Sequence, residues 1–146
     1  MSAEKVTIID AKDLILGRMA SMVSKRLLQG ERIAIVNAEK AAISGKRFSI
    51  VKEAKNFLEV GHPRKGPYHF RSPDKILRKT IRGMLPRKRP KGKKTYKRLR
   101  VFTGIPEEFK DKEIQTLPEI NASKLRCPYI YLEKVAKEIG WIPLSE

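Results

Sequence analysis

A chain of 146 residues, 40% of them apolar, is long enough to build one hydrophobic core, yet its formal charge of +17 sets it apart from an ordinary globular domain. One cysteine and two histidines exclude a disulfide within the chain and a zinc site made from Cys and His. No apolar run reaches the ~18 residues of a membrane-spanning helix, and MSAEKVTIID has no signal- or transit-peptide pattern, so the chain reads as soluble and cytoplasmic with Cys127 a free thiol.

In chain order, Val6–Asp10 (VTIID) is a β-branched run that predicts a buried strand. A loop (AKDLIL) and Gly17 lead into a helical pattern, where Leu16, Met19, Ala20, Val23 and Leu27 share one face and Gly30 ends it. Arg32–Ala38 (RIAIVNA) predicts a second strand, apolar enough to be buried on both faces as in a parallel sheet. Strand, helix and strand make a βαβ unit with a right-handed crossover. Ala41–Ser44, closed by Gly45, suggests a short third strand. Phe48–Val60 predicts a helix with Ile50, Val51, Ala54, Phe57 and Leu58 on one side, stopped by Gly61-His62-Pro63. Near the C-terminus Leu132, Val135, Ala136 and Ile139 form another helical stripe, with Glu133 and Lys137 a favourable pair and Gly140 the stop. Trp141 is expected to pack on this helix or to meet a protein neighbour.

The fold class is therefore α/β: a small, mostly parallel sheet with helices on both faces, plus a basic helix and an extended basic loop. One domain is expected over 1–146, with its core in about 5–62 and 99–118, a basic section in 63–100 and a C-terminal helical extension in 120–146.

Charge is distributed unevenly. From Arg64 to Arg100 there are sixteen Lys/Arg and a single acid, Asp74, whereas the other 109 residues carry a net charge of only +2. Ser72-Pro73-Asp74 predicts a helix start by serine cap, first-turn proline and an acid at the positive dipole end, with the helix running to about Leu85. Within it Lys75, Arg78, Lys79 and Arg82 fall on one stripe and Leu77, Ile81 and Met84 on the opposite side. Pro86, Pro90 and Gly92 then argue for an irregular basic strap carrying Arg87, Lys88, Arg89, Lys91, Lys93 and Lys94. Lys97, Arg98 and Arg100 flank Leu99, where the chain returns to the core. Upstream, Arg64, Lys65 and Arg71 accompany Tyr68, His69 and Phe70; Tyr68 and Phe70 either stack on splayed RNA bases or belong to the core. A surface of this kind suits a phosphate polymer, through bidentate arginine contacts and lysine point charge. Phosphate attraction alone does not separate DNA from RNA, but no helix-turn-helix, zinc-finger or basic-zipper pattern is present, and a strap on a compact domain fits folded RNA.

Five stretches carry a family resemblance: DLILGR (13–18), NAEKAAISG (37–45), RSP (71–73), RGMLP (82–86) and LRVFTGIP (99–106). In this order they resemble the large-subunit ribosomal protein thirteen family, in the form typical of its archaeal and eukaryotic branch, over roughly residues 6–109. The resemblance implies a non-catalytic structural protein with an α/β core and basic elements sunk into large-subunit rRNA, beside neighbouring large-subunit proteins. It implies no cofactor, metal or small-molecule substrate. Gly83 then either lets RNA or another helix come close or serves as a helix-end glycine.

A competing reading makes the chain a nucleotide-binding enzyme or regulator that uses the first strand–helix turn, at Gly17. GxGxxG is absent there, and Gly45-Lys46-Arg47 lacks the P-loop spacing. Arg18 faces rRNA or pairs with an acid. Asp10 and Asp13 are read as turn and capping residues, and His62 and His69 have no serine or cysteine beside them in the sequence.

Overall fold

The computed structural model describes residues 5–144. The predicted βαβ unit is present as β1 (Val6–Asp10), α1 (Leu16–Leu28) and β2 (Arg32–Val36), with β1 and β2 parallel and Ile8 opposite Ala34. Gly30, at φ 102, follows α1 in the left-handed conformation that a helix end demands. Two further parallel strands, β4 (Leu99–Val101) beside β2 and β5 (Ile114–Gln115) beside β1, complete the order β4-β2-β1-β5. The predicted third strand, β3 (Ala42–Ser44), exists but lies outside this sheet. It pairs antiparallel with β6 (Tyr129–Tyr131).

Alternation along the strands sends Ile9, Ile33, Ile35 and Leu99 to one face, where they pack with Met19, Val23 and Leu27 of α1 and with Leu77 and Ile81 of α3 (Pro73–Gly83). Ile8, Ala34 and Val36 point to the other face and meet Phe109, with Phe102 and Ile114 alongside. That second face corrects the expectation of helices on both sides. Its cover is a 3-10 turn, Glu107–Phe109, with the Phe102 and Phe109 rings edge-to-face at 5.5 Å. Strand order explains the cover. The steps from β1 to β2 and on to β4 move in one direction across the sheet, and that from β4 to β5 moves back, so right-handed crossovers place it on the opposite face. Its twelve residues, 102–113, include Gly104 and Pro106 and span two strands, which leaves no length for a regular helix.

The C-terminal segment is part of the same packing. Ile120 and Leu132 join the main core, and Ala122 packs with Ile15 and Ala42. The last helix, α5 (Leu132–Glu138), carries the expected pair, Lys137 Nζ donating to Glu133 Oε1 at 2.7 Å. In contrast, α2 (Arg47–Glu59) buries none of its residues. Ile50, Val51, Ala54 and Leu58 are only half-buried and Phe57 is 53% exposed, because β3 leads the chain away from the main sheet and sets α2 beside α5.

A side-chain hydrogen bond joins backbone ones in tying the first loop to the C-terminal segment. Asp13 adopts a left-handed φ of 59, its amide donates to the Lys40 carbonyl, and its Oδ1 accepts from the Tyr131 hydroxyl at 2.7 Å. That bond, then burial, then the carboxylate's charge push the Tyr131 pKa from 10.0 up to about 12. A raised folded-state value means the contribution is complete below the unfolded value and is lost as pH rises through the folded one. Tyr131→Phe is expected to lower stability by about 1–2 kcal/mol at neutral pH. In urea titrations the gap between the two proteins should close between pH 10.0 and about 12.

Candidate nucleic-acid interface

Three adjoining elements hold the basic section: a turn-rich segment at 61–71, α3, and a helix not foreseen in the sequence, α4 (Pro90–Lys97). In the first, the His62 and Gly66 backbones close on each other, His62 N donating to Gly66 O at 2.9 Å and Gly66 N returning to His62 O at 2.8 Å. The His62 ring accepts from the Arg64 amide, and Tyr68 donates its hydroxyl to the Pro63 carbonyl. Tyr68 is 71% exposed and Phe70 46%, so neither belongs to the core.

Helix α3 starts where expected, with Pro73 in its first turn and Asp74 near the positive end of the dipole. The expected serine cap is not made: Ser72 Oγ is buried without a hydrogen-bond partner among the described residues. The helix also ends earlier, at Gly83, and the chain turns there. Met84 is consequently thrown off the apolar side and left 44% exposed, while Leu85 swings in to 5%. Leu77 and Ile81 are fully buried, and Lys75, Arg78, Lys79 and Arg82 all stand exposed on the opposite side. Aromatic neighbours orient three of the four: Lys75 Nζ lies 5.8 Å from the Phe70 ring, Arg78 4.7 Å from that of Tyr96, and Lys79 Nζ 3.3 Å from His69 Nδ1.

The predicted irregular strap is corrected by α4. Pro90 occupies the first helical turn, where its missing N–H costs nothing and its fixed φ suits the helix, so it starts a helix here. Gly92 is buried, and a Cβ there would come within 2.0 Å of the Pro86 carbonyl oxygen. Only glycine lets α4 fold back onto the turn that precedes it. Thr95, 1% exposed, donates to the Lys91 carbonyl from the packed face, leaving Lys91, Lys93, Lys94 and Lys97 exposed. Arg87, Lys88 and Arg89 lie exposed on the turn between the two helices.

Two predicted cations stand apart from this surface. Arg98 donates to the Leu27 carbonyl at 3.0 Å and so caps the C-terminus of α1, where a positive charge also suits the dipole. Arg100 sits opposite Ala34, on the face of the sheet away from α3. Arg71 is exposed, with its guanidinium against Gly140 at the end of α5. Among the described residues, no member of the sixteen cations pairs with a carboxylate; the ion pairs seen, such as Arg26–Glu31 and Lys137–Glu133, lie elsewhere. Two contributors escaped the sequence reading, the Tyr96 ring beneath Arg78 and the Phe57 ring 5.6 Å from His69. No periodicity marks either contact, because each joins different elements.

The backbone amides of residues 11–15, in the first strand–helix turn, all donate within the fold. Ala11, Leu14 and Ile15 are buried in it, and the Ile15 amide donates to the Ile120 carbonyl. Asp10 Oδ1 accepts from the Lys12 amide and the Asn37 side chain, so the two loop carboxylates have structural partners.

A compact α/β domain whose cations collect, with Asp74 the one acid in their segment, on two adjoining helices and the turns around them has the charge distribution of a polyanion-binding protein. Comparison with known sequences narrows the class. The chain belongs to the Ribosomal protein L13 family, whose profile matches residues 4–108. It is similar to the large ribosomal subunit protein uL13 of Methanosarcina barkeri, 48% identical over 137 residues, 92% of this chain and 98% of that one. The uL13 of Archaeoglobus fulgidus is 43% identical over 140 residues (96% and 83%), and that of Saccharolobus solfataricus 42% over 142 residues (94% and 95%). These alignments extend well past residue 108, so the C-terminal segment is also shared with relatives.

Two glycines test the geometry of the basic surface. Gly83 has nothing within 4 Å of a Cβ, so Gly83→Ala should raise stability by about 0.5–1 kcal/mol through helix propensity. Gly92→Ala, in another helix, should instead lower it by about 1–3 kcal/mol through overlap with Pro86. Urea unfolding midpoints of the two variants should move in opposite directions.

Proposed function

We propose that this chain is a structural constituent of the large ribosomal subunit, in the cytoplasm, that binds and stabilises large-subunit rRNA beside neighbouring ribosomal proteins. The observation that carries the reading is the exposed stripe of Lys75, Arg78, Lys79 and Arg82 on a helix whose other side is locked into the core. Membership of a family of ribosomal proteins agrees with it.

The mechanism is ion exchange on a fixed frame. RNA phosphates carry condensed counterions, and each Lys or Arg that meets a phosphate releases one, with a gain in entropy that falls as salt rises. Helix α3 supplies the rigid stripe, α4 the cations Lys91, Lys93, Lys94 and Lys97, and the turn between them Arg87, Lys88 and Arg89. Arg64, Lys65 and Arg71 extend the surface upstream, where Tyr68 and Phe70 stack on unpaired bases. Arg98 serves by holding α1 against β4, and Arg100 reaches RNA only from the other face of the sheet. No bond is made or broken; the protein keeps together RNA segments that would otherwise repel.

If about 6–10 phosphates are neutralised, affinity should drop by about 10³–10⁵ between 50 and 200 mM salt. Replacing Arg78, Lys79 and Arg82 with alanine should flatten the slope of log affinity against log salt by about 2–3, with thermal unfolding little changed because all three are exposed. A slope unaltered in the triple variant rules out the α3 stripe as the contact surface.

A further inference from the structure

Between α2 on one side and α3 and α5 on the other lies an open groove of about 290 Å³. Aliphatic side chains line it, Leu132 and Val135 among them, together with three rings, Phe57, His69 and Phe70, and three polar groups, the ammonium of Lys79, the carboxylate of Glu53 and the hydroxyl of Thr80. We propose that this groove receives one unstacked nucleobase of the bound RNA, a contact that rests on the RNA-binding reading above and extends it to a specific pocket.

The first support is the unfinished packing of α2. None of its residues is buried, so the apolar atoms along its inner side lack the contacts that a filled groove supplies. Backbone and side-chain ties hold it in place all the same: Gly45 N donates to the Pro128 carbonyl and Arg47 pairs with Glu138. The gap is therefore a fixed feature of the fold. Size is the second support. A cavity of ~150 Å³ suffices to hold a benzene ring, so 290 Å³ accommodates a base.

Chemistry selects the occupant. An apolar protein side chain would satisfy the aliphatic lining but would bring no anion to Lys79, whose Nζ lies 3.3 Å from His69 Nδ1. A nucleotide satisfies both, with its flat ring against Phe57, His69 and Phe70 and its phosphate on the cation. Lys79 also belongs to the exposed stripe of α3, so a strand following that stripe runs past the groove with its bases in reach.

The test compares two strands bound to the full chain at one ionic strength. One is an oligoadenylate of about 12 nucleotides and the other an abasic strand with the same number of phosphates. Anisotropy should show the base-bearing strand binding about tenfold tighter. Ala54→Phe fills the groove from the α2 wall, and Phe57→Ala removes a half-exposed ring that the core does not need. Each variant should cut the tenfold difference at least threefold while leaving abasic affinity and thermal unfolding as they were, the remainder coming from Tyr68 outside the groove. Equal affinity of the unaltered protein for the two strands overturns the proposal, leaves the RNA reading standing and turns the groove over to a protein neighbour. A preference that neither variant reduces also overturns it, placing the base contacts at Tyr68, outside the groove. Should neither strand bind, the RNA-binding reading falls and this contact falls with it.

Discussion

Mutual repulsion among sixteen cations within 37 residues is the constraint around which this fold is arranged. Two unit charges 7 Å apart in water repel by about 0.6 kcal/mol, and salt weakens even that. A buried leucine or isoleucine side chain stabilises by about 1.5–3 kcal/mol. Leu77, Ile81, Leu85 and Leu99, spaced through the basic section and all buried, therefore outweigh the local repulsion at each point where the chain touches the core. The cations stay exposed because the apolar residues between them leave no other option. Local aromatic contacts, Arg78 on Tyr96 and Lys75 on Phe70, then limit how far the long side chains wander.

The same anchoring gives the basic surface a regular fold. An extended strap would carry its charge free in water and lose conformational freedom on binding. Here α4 is held by Thr95 and by the close seat of Gly92 on Pro86, so part of that entropic cost is met during folding. A folded face also fixes the distances between cations, so that shape as well as charge distinguishes it from an extended strap.

Around this surface the rest of the molecule is support. The parallel sheet supplies a flat apolar floor for α1 and α3, and the returning 102–113 segment seals its other side with Phe109. The C-terminal segment closes the ring of contacts, with Leu132 in the main core and Tyr131 bound to Asp13. Only α2 stands partly away from this packing, and the groove beneath it is where the molecule has apolar surface to spare.

From sequence alone, the βαβ unit, the last helix and the cationic stripe of α3 were all determined, because each is written in local periodicity: β-branched runs, apolar residues at helical spacing, and charge on the opposite side. Tertiary structure decided whatever depends on residues distant in the chain. Pro90 and Gly92 spell a break when read locally, yet they begin and seat a helix once Pro86 lies against it. Arg98 and Met84 reverse their expected places for the same reason: the Leu27 carbonyl claims the first, and a helix that stops at Gly83 turns the second outward. Which face of the sheet goes without helices, and where α2 leaves a groove, follow from strand order and from β3 pairing with β6, and no short-range pattern encodes contacts made across nearly ninety residues.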